Sequence, residues 1–202
     1  MARPRQFDED AALGAAMRCF WFRGYEATSV RDLARHMGMT GASLYNAFGD
    51  KRALFRRVLD HYVATTLGER IARFEPALPP RAAIGAFFDE VVRLSLDDPE
   101  RKGCLLINSA LELAPHDGEF RQVISDVLGQ LEGFFLRCVR AGQKDGSITD
   151  AQPADDLARL LLATLMSLRV MARARPEPAM LHGLVRPALA VLDSPRFSRT
   201  TA

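Results

Sequence analysis

The segment Thr40-Gly-Ala-Ser-Leu-Tyr-Asn-Ala-Phe48 places hydroxyl, phenol and amide groups around two apolar residues one turn apart. A helix here puts Leu44 and Phe48 on one buried face. It leaves Gly41, Ala42, Ser43, Tyr45 and Asn46 near the exposed N-terminal half. Ser43 and Asn46 can hydrogen-bond base edges, and the small Gly41 and Ala42 allow close approach to a groove. Tyr45, Thr28, Ser29 and Lys51 suit phosphate oxygens, which fix register without reading sequence. The chemistry on offer is contact with a nucleic acid, with Thr40 opening the helix that would make it.

A second candidate lies in Lys102-Gly-Cys-Leu-Leu-Ile-Asn-Ser-Ala-Leu-Glu-Leu-Ala-Pro-His-Asp117. Cys104 follows Gly103 at an expected helix N-terminus. The helix dipole favours a thiolate there, and Arg101 and Lys102 add positive potential. Such a thiolate would react with electrophiles and oxidants; an inert buried cysteine is the other reading. Cys19 and Cys138 fall on apolar stripes and belong to the core. Asn108 and Glu112 stand one turn apart and offer polar handles, while Phe87, Phe88, Phe134 and Phe135 offer aromatic walls. Together they outline a mostly apolar small-molecule pocket with few polar anchors. His36, His61, His116 and His182 are scattered, and none pairs with Cys, Asp or Glu at metal-ligand spacing. Walker and dinucleotide motifs are missing as well. The sequence therefore implies no metal, no cofactor and no enzyme, with Asp117 capping a helix rather than serving as an acid or base.

The elements that must position these groups are all helical. Leu13, Ala16, Met17 and Phe20 form one stripe, with Asp8 as its cap and Gly24 at its end. Val30, Leu33, Ala34 and Met37 form a short second helix, opened by a Ser29–Asp32 capping box and closed by Gly38. Gly38-Met39-Thr40 is then a tight turn into the third helix, which is helix-turn-helix spacing. A longer helix starts at Lys51. Glu75-Pro-Ala-Leu-Pro-Pro80 is the clearest break. Amphipathic stripes follow from Ile84 to Leu94, Gly103 to Leu113, Phe120 to Cys138, Leu157 to Met171 and Leu181 to Leu192. The expected architecture is all-α, with a three-helix DNA-binding domain over residues 1–62. The helix from Lys51 continues as a linker into a helical ligand-binding and dimerisation domain over residues 63–202.

The 202-residue chain is 48% apolar and 26% charged, with a net charge of +2. That is ordinary for a globular protein and looks too neutral for a DNA binder. The first 62 residues, however, carry ten Lys/Arg against seven acids, and the rest carries 17 against 18. The surplus positive charge sits at the front. An odd count of three widely spaced cysteines fits a reducing cytoplasm. No stretch approaches the roughly 20 apolar residues of a membrane span, and the start turns acidic before any apolar run, unlike a secretory signal.

Arg23-Gly-Tyr-Glu-Ala-Thr-Ser-Val-Arg-Asp-Leu-Ala34 and Met37-Gly-Met-Thr-Gly-Ala-Ser-Leu-Tyr-Asn-Ala-Phe-Gly-Asp-Lys-Arg-Ala-Leu-Phe55 resemble the DNA-binding domain of the tetracycline-repressor (TetR) family over roughly residues 8–62. The resemblance implies that the helix from Thr40 enters the major groove and that Tyr45 and Lys51 touch phosphate. The chain departs from the family pattern at Gly41, at Ala47 and at Arg52, where Glu is common. Gly41 shifts the expected readout towards Asn46, Ser43 and backbone approach. Arg3 and Arg5 resemble basic arms that reach a minor groove. The resemblance further implies a homodimer on a pseudo-palindromic operator, released by an inducer bound in the back domain. The last two helices would pair with their mates, with Leu161, Leu165, Leu168, Leu181, Val185 and Leu189 among the interface residues. Gly103-Cys104 resembles a motif of a subset of the family in which the cysteine senses electrophiles and oxidants. The expected function is a transcriptional repressor; the alternative is a helical ligand-binding or redox-sensing protein without a specific operator.

Overall fold

A computed structural model describes residues 8–193. Arg3 and Arg5, and the polar tail from Ser194, lie outside the described residues. The elements are α1 (Glu9–Arg23), α2 (Val30–Met37), α3 (Gly41–Phe48), α4 (Lys51–Tyr62), a π-helical turn (Val63–Gly68), α5 (Glu69–Phe74), α6 (Pro80–Leu96), α7 (Leu105–Glu112), α8 (Gly118–Asp145), α9 (Ala154–Ala174) and α10 (Pro178–Ala190). No strand occurs among the described residues.

The caps anticipated from sequence form. Asp8 accepts from the Ala11 amide at 3.0 Å. Ser29 and Asp32 make a reciprocal capping box at the start of α2, which satisfies two amides that the first helical turn leaves without partners. Gly38 ends α2 in the left-handed region at φ 66°, where a side chain would be strained. The π-helical turn is not legible in the sequence. It directly follows Tyr62, and Thr65 Oγ1 donates back to the His61 carbonyl at 2.7 Å, a local alternative partner for a helix backbone.

By packing, the chain divides into two compact units that do not follow the 1–62/63–202 division. Among the described residues, the first holds residues 8–68 together with Cys104–Ile124; the second holds Glu69–Gly103 and residues 125–193. In the first unit α1 packs on α2 and α4, and α7 packs on both α1 and α4. Its core is Phe20, Leu33, Leu44, Leu54, Phe55, Leu59 and Tyr62, all buried. The Phe55 ring lies between those of Phe20, Tyr25 and Phe120, at centroid distances of 4.7, 4.9 and 5.4 Å. Each buried ring contributes about 1.5–3 kcal/mol from area alone, with edge-to-face geometry adding to it.

The second unit packs α6 against α5, α9 and α10. Phe87, Phe88, Phe134 and Phe135 are fully buried and in mutual ring contact at 5.2–6.1 Å. Arg70 is buried beside them and pairs with Glu90 at 2.8 Å, and Arg73 joins the same carboxylate. A buried guanidinium left without that partner would be costly.

Candidate nucleic-acid interface

The front of the first unit is built to hold α3 still and leave one of its faces bare. Leu44 and Phe48 are buried. The Arg57 guanidinium lies 4.8 Å over the Phe48 ring and pairs with Glu9, which fixes α4 against the base of α3. Thr40 caps α3 by accepting from the Ser43 amide at 3.1 Å, and the two hydroxyls lie 2.9 Å apart. Ala42, Ser43, Tyr45 and Asn46 are exposed, Gly41 half-exposed. Tyr45 is 53% exposed. An exposed phenol next to two polar side chains and two small residues is a surface made to be met.

Of the four groups expected at phosphate, three are at least partly open to solvent. Tyr45 and Ser29 are exposed. Lys51 begins α4 with its ammonium 4.2 Å over the Tyr25 ring and its Nζ donating to the Glu26 carbonyl at 3.4 Å. Thr28 is a correction. Its side chain is fully buried, and Oγ1 donates to the Gly24 carbonyl at 2.6 Å. The loop needs that hydroxyl inside, so it holds the loop's shape instead of meeting a ligand.

Sequence reasoning missed what holds that loop from outside. The Glu112 carboxylate, at the end of α7, accepts from the Tyr25 amide at 3.0 Å and from the Glu26 amide at 2.7 Å. Both oxygens are therefore in use, and Glu112 is corrected from a handle in a ligand pocket to a brace on the loop before α2. Arg52 is similarly engaged. Its Nε and Nη2 donate to Asp117, and Nη1 pairs with Glu119 at 2.7 Å. The unusual Arg at this position was the available signal. Asp117 also accepts from the Glu119 and Phe120 amides, the cap anticipated from sequence.

The remaining expected sensor residues fall in both units. Cys104 and Asn108 belong to the first. Cys104 is the N-cap residue of α7, buried, with its Sγ 3.3 Å from Tyr62 Oη. Phe87, Phe88 and Phe134 belong to the second unit and to its aromatic core. Cys19 and Cys138 are buried as expected; burial raises the Cys19 thiol and, together with Glu75, pushes Cys138 up to about 11.

The expected interface leucines need a correction too. Leu161, Leu165, Leu168, Leu181 and Val185 are buried within the chain's own second unit. They are the inward stripe that joins α9 and α10 to α6, and only Leu189 is partly open. The outward apolar positions of α9 are others, with Leu160 at 40% and Val170 at 42% exposure.

A tight left-handed turn that presents a braced helix with a bare polar face is a helix-turn-helix reader, and it defines a DNA-binding transcriptional regulator. Comparison with known proteins gives the particular family. The model for bacterial regulatory proteins of the tetR family matches residues 12–58, and that for the tetracyclin repressor-like C-terminal domain matches residues 80–187. The HTH-type transcriptional regulator YezE of Bacillus subtilis is 36% identical, over 96% of this chain and all of that one. The HTH-type transcriptional repressor ComR of Escherichia coli is 30% identical, over 85% of this chain and 82% of its own length. A cysteine mutant of the TetR family regulator CifR, complexed with double-strand operator DNA, superposes with a TM-score of 0.83 at 34% identity. That match covers 93% of this chain and 98% of that chain. The chain belongs to the TetR family.

Proposed function

We propose that this regulator is a cytoplasmic repressor, not an enzyme, that binds a pseudo-palindromic operator as a homodimer and releases it on meeting an inducer. The observation that carries the reading is α3, whose Ala42, Ser43, Tyr45 and Asn46 stand bare above a buried Leu44 and Phe48. The CifR complex with operator DNA and the repressor ComR support the same reading. Two copies related by a two-fold axis would set their α3 helices about one helical turn apart on the duplex. The dimer face is the outward side of α9 and α10, centred on Leu160 and Val170. No helix among the described residues is long and apolar enough to cross a membrane.

The decisive experiment is a gel shift on the promoter fragment beside the protein's own gene. Selective binding that persists at physiological salt is expected. Binding that ignores sequence and vanishes at roughly 150 mM salt would overturn the reading in favour of a ligand-binding or stress-sensing protein.

For the inducer, Cys104, the N-cap residue of α7, serves as a thiol sensor. The Tyr62 contact supports the thiol role, because an adduct or oxidation at Sγ must break it. An electrophile such as a quinone or an aldehyde should release the operator from the native protein and not from Cys104→Ser. Equal release from both would remove Cys104 from the mechanism.

A further inference from the structure

We infer that Glu112, far in sequence from the helix-turn-helix, is a positioning residue for operator binding. It sets the Gly24–Glu26 loop, and through it the phosphate-binding Lys51. This rests on the DNA-reading function proposed above.

Three relationships carry it. The carboxylate takes two consecutive backbone amides, Tyr25 at 3.0 Å and Glu26 at 2.7 Å. Two N–H donors converging on one anion give a short, charge-assisted, two-point bond that fixes both peptide planes. The chain is shaped to admit it. Gly24 stands at φ 86°, and a Cβ there would meet the Glu112 oxygens at 3.1 and 3.2 Å. Lys51 then leans on the two residues whose amides Glu112 holds. Its ammonium sits over the Tyr25 ring at 4.2 Å, and its Nζ donates to the Glu26 carbonyl. If those two peptides turned, both contacts of Lys51 would change together. Thr28 Oγ1 donates to the Gly24 carbonyl, on the inner side of the loop, whereas Glu112 holds the two peptides on which Lys51 leans.

The direction of control follows from where α7 starts and ends. Cys104, at its N-cap, touches Tyr62, and Glu112 is its last residue. A helix of eight residues is a rod of about 12 Å. A displacement imposed at one end therefore reaches the carboxylate at the other. A group that binds or modifies α7 would loosen Lys51 without touching the DNA-facing helix.

The test uses full-length protein and a DNA fragment carrying its operator. Glu112→Gln keeps the shape but cannot accept from two amides with both terminal atoms. In the folded variant, operator affinity should fall about ten-fold, and the slope of log affinity against log salt should lose about one unit per protomer. Lys51→Met should give a similar loss, and the double variant little more, because the two residues act in series. Full additivity, or an unchanged slope in Glu112→Gln, would overturn the proposal. A second measurement needs no DNA and no variant. In the native protein the Tyr25 and Glu26 amide protons should be protected from exchange. Amides that exchange freely would also overturn it. A native protein that binds no operator, while these amides are protected as described, would instead overturn the DNA-reading function.

Discussion

Arg52 and Asp117, 65 residues apart, meet in a two-point ion pair, with Nε donating at 3.1 Å and Nη2 at 3.0 Å. The same guanidinium reaches Glu119 and lies 5.2 Å over the Phe120 ring. Arg52 is the second residue of α4, and Asp117 caps the start of α8. The pair ties the DNA-reading head to a segment distant in sequence. It also accounts for the departure at Arg52, because the Glu common in the family would face two carboxylates here and repel them.

The pair makes stability depend on pH in a defined direction. The Phe120 amide first, and Arg52 with it, holds the Asp117 carboxyl below the usual carboxylate range. A depressed folded pKa means that the folded state prefers the ionised form. The contribution is complete above the unfolded value of about 4 and is lost as pH falls through the lower folded value. Asp117→Asn should therefore lower the midpoint of thermal unfolding at neutral pH, and the gap from native protein should close in acid, below about pH 4. A gap of the same size on both sides of that range would contradict the assignment.

Gly24 and Gly38 should respond differently to the same substitution. Both have positive φ, but a Cβ at Gly38 meets nothing within 4 Å, whereas one at Gly24 strikes Glu112. Gly38→Ala should cost about 1–2 kcal/mol of backbone strain alone, and Gly38→Asn less, since Asn tolerates this region. Gly24→Ala should add the loss of the carboxylate's seat, for about 2–4 kcal/mol in all. Urea unfolding of the three variants measures the order. Equal costs at the two glycines would mean that Glu112 yields freely.

The local structure was legible where one residue type had one job. Ser29 and Asp32 at capping-box spacing, Gly38 as a left-handed stop, and Leu44 with Phe48 as a buried pair all follow from short-range rules. What the sequence hid is long-range. Glu112 reads as a pocket handle because its partners are backbone amides 86 and 87 residues away, and amides leave no mark in a sequence. Thr28 and Ser29 look alike as hydroxyls, yet one faces the core and the other solvent. Burial decided their roles. Leu161, Leu165 and Leu168 form an apolar stripe that fits a mate as well as the chain's own α6. Periodicity shows that a face is buried but not against what.

The interface separates reading from holding. Asn46→Ala should weaken binding to the operator by about 1–3 kcal/mol and leave binding to unrelated DNA nearly unchanged, because base-edge contacts carry sequence information. Lys51→Met should weaken both and flatten the salt dependence. Thr28→Val removes a buried hydroxyl that donates to Gly24. It should cost about 1 kcal/mol in unfolding while leaving the salt slope intact. Fluorescence anisotropy across a salt series, with operator and scrambled duplexes, resolves all three. A changed salt slope in Thr28→Val would mean that the hydroxyl meets phosphate after all.

Adjacent leucines on α9 provide the sharpest test of how two copies meet. Leu161 is fully buried in its own chain and Leu160 is 40% exposed. Asp at Leu161 places an unpaired carboxylate in the core, where the cost of desolvation brings severe destabilisation, more than about 3 kcal/mol. Asp at Leu160 meets water in the isolated chain and should leave its fold intact. In a symmetric dimer, however, that position recurs on both sides of the two-fold axis, so one substitution introduces two like charges at the interface. Leu160→Asp should therefore give a folded monomer by light scattering, with helical circular dichroism retained and operator affinity lost. Leu161→Asp should lose the helical signal first. If Leu160→Asp stays dimeric at micromolar concentration, the mate does not bind this face of α9.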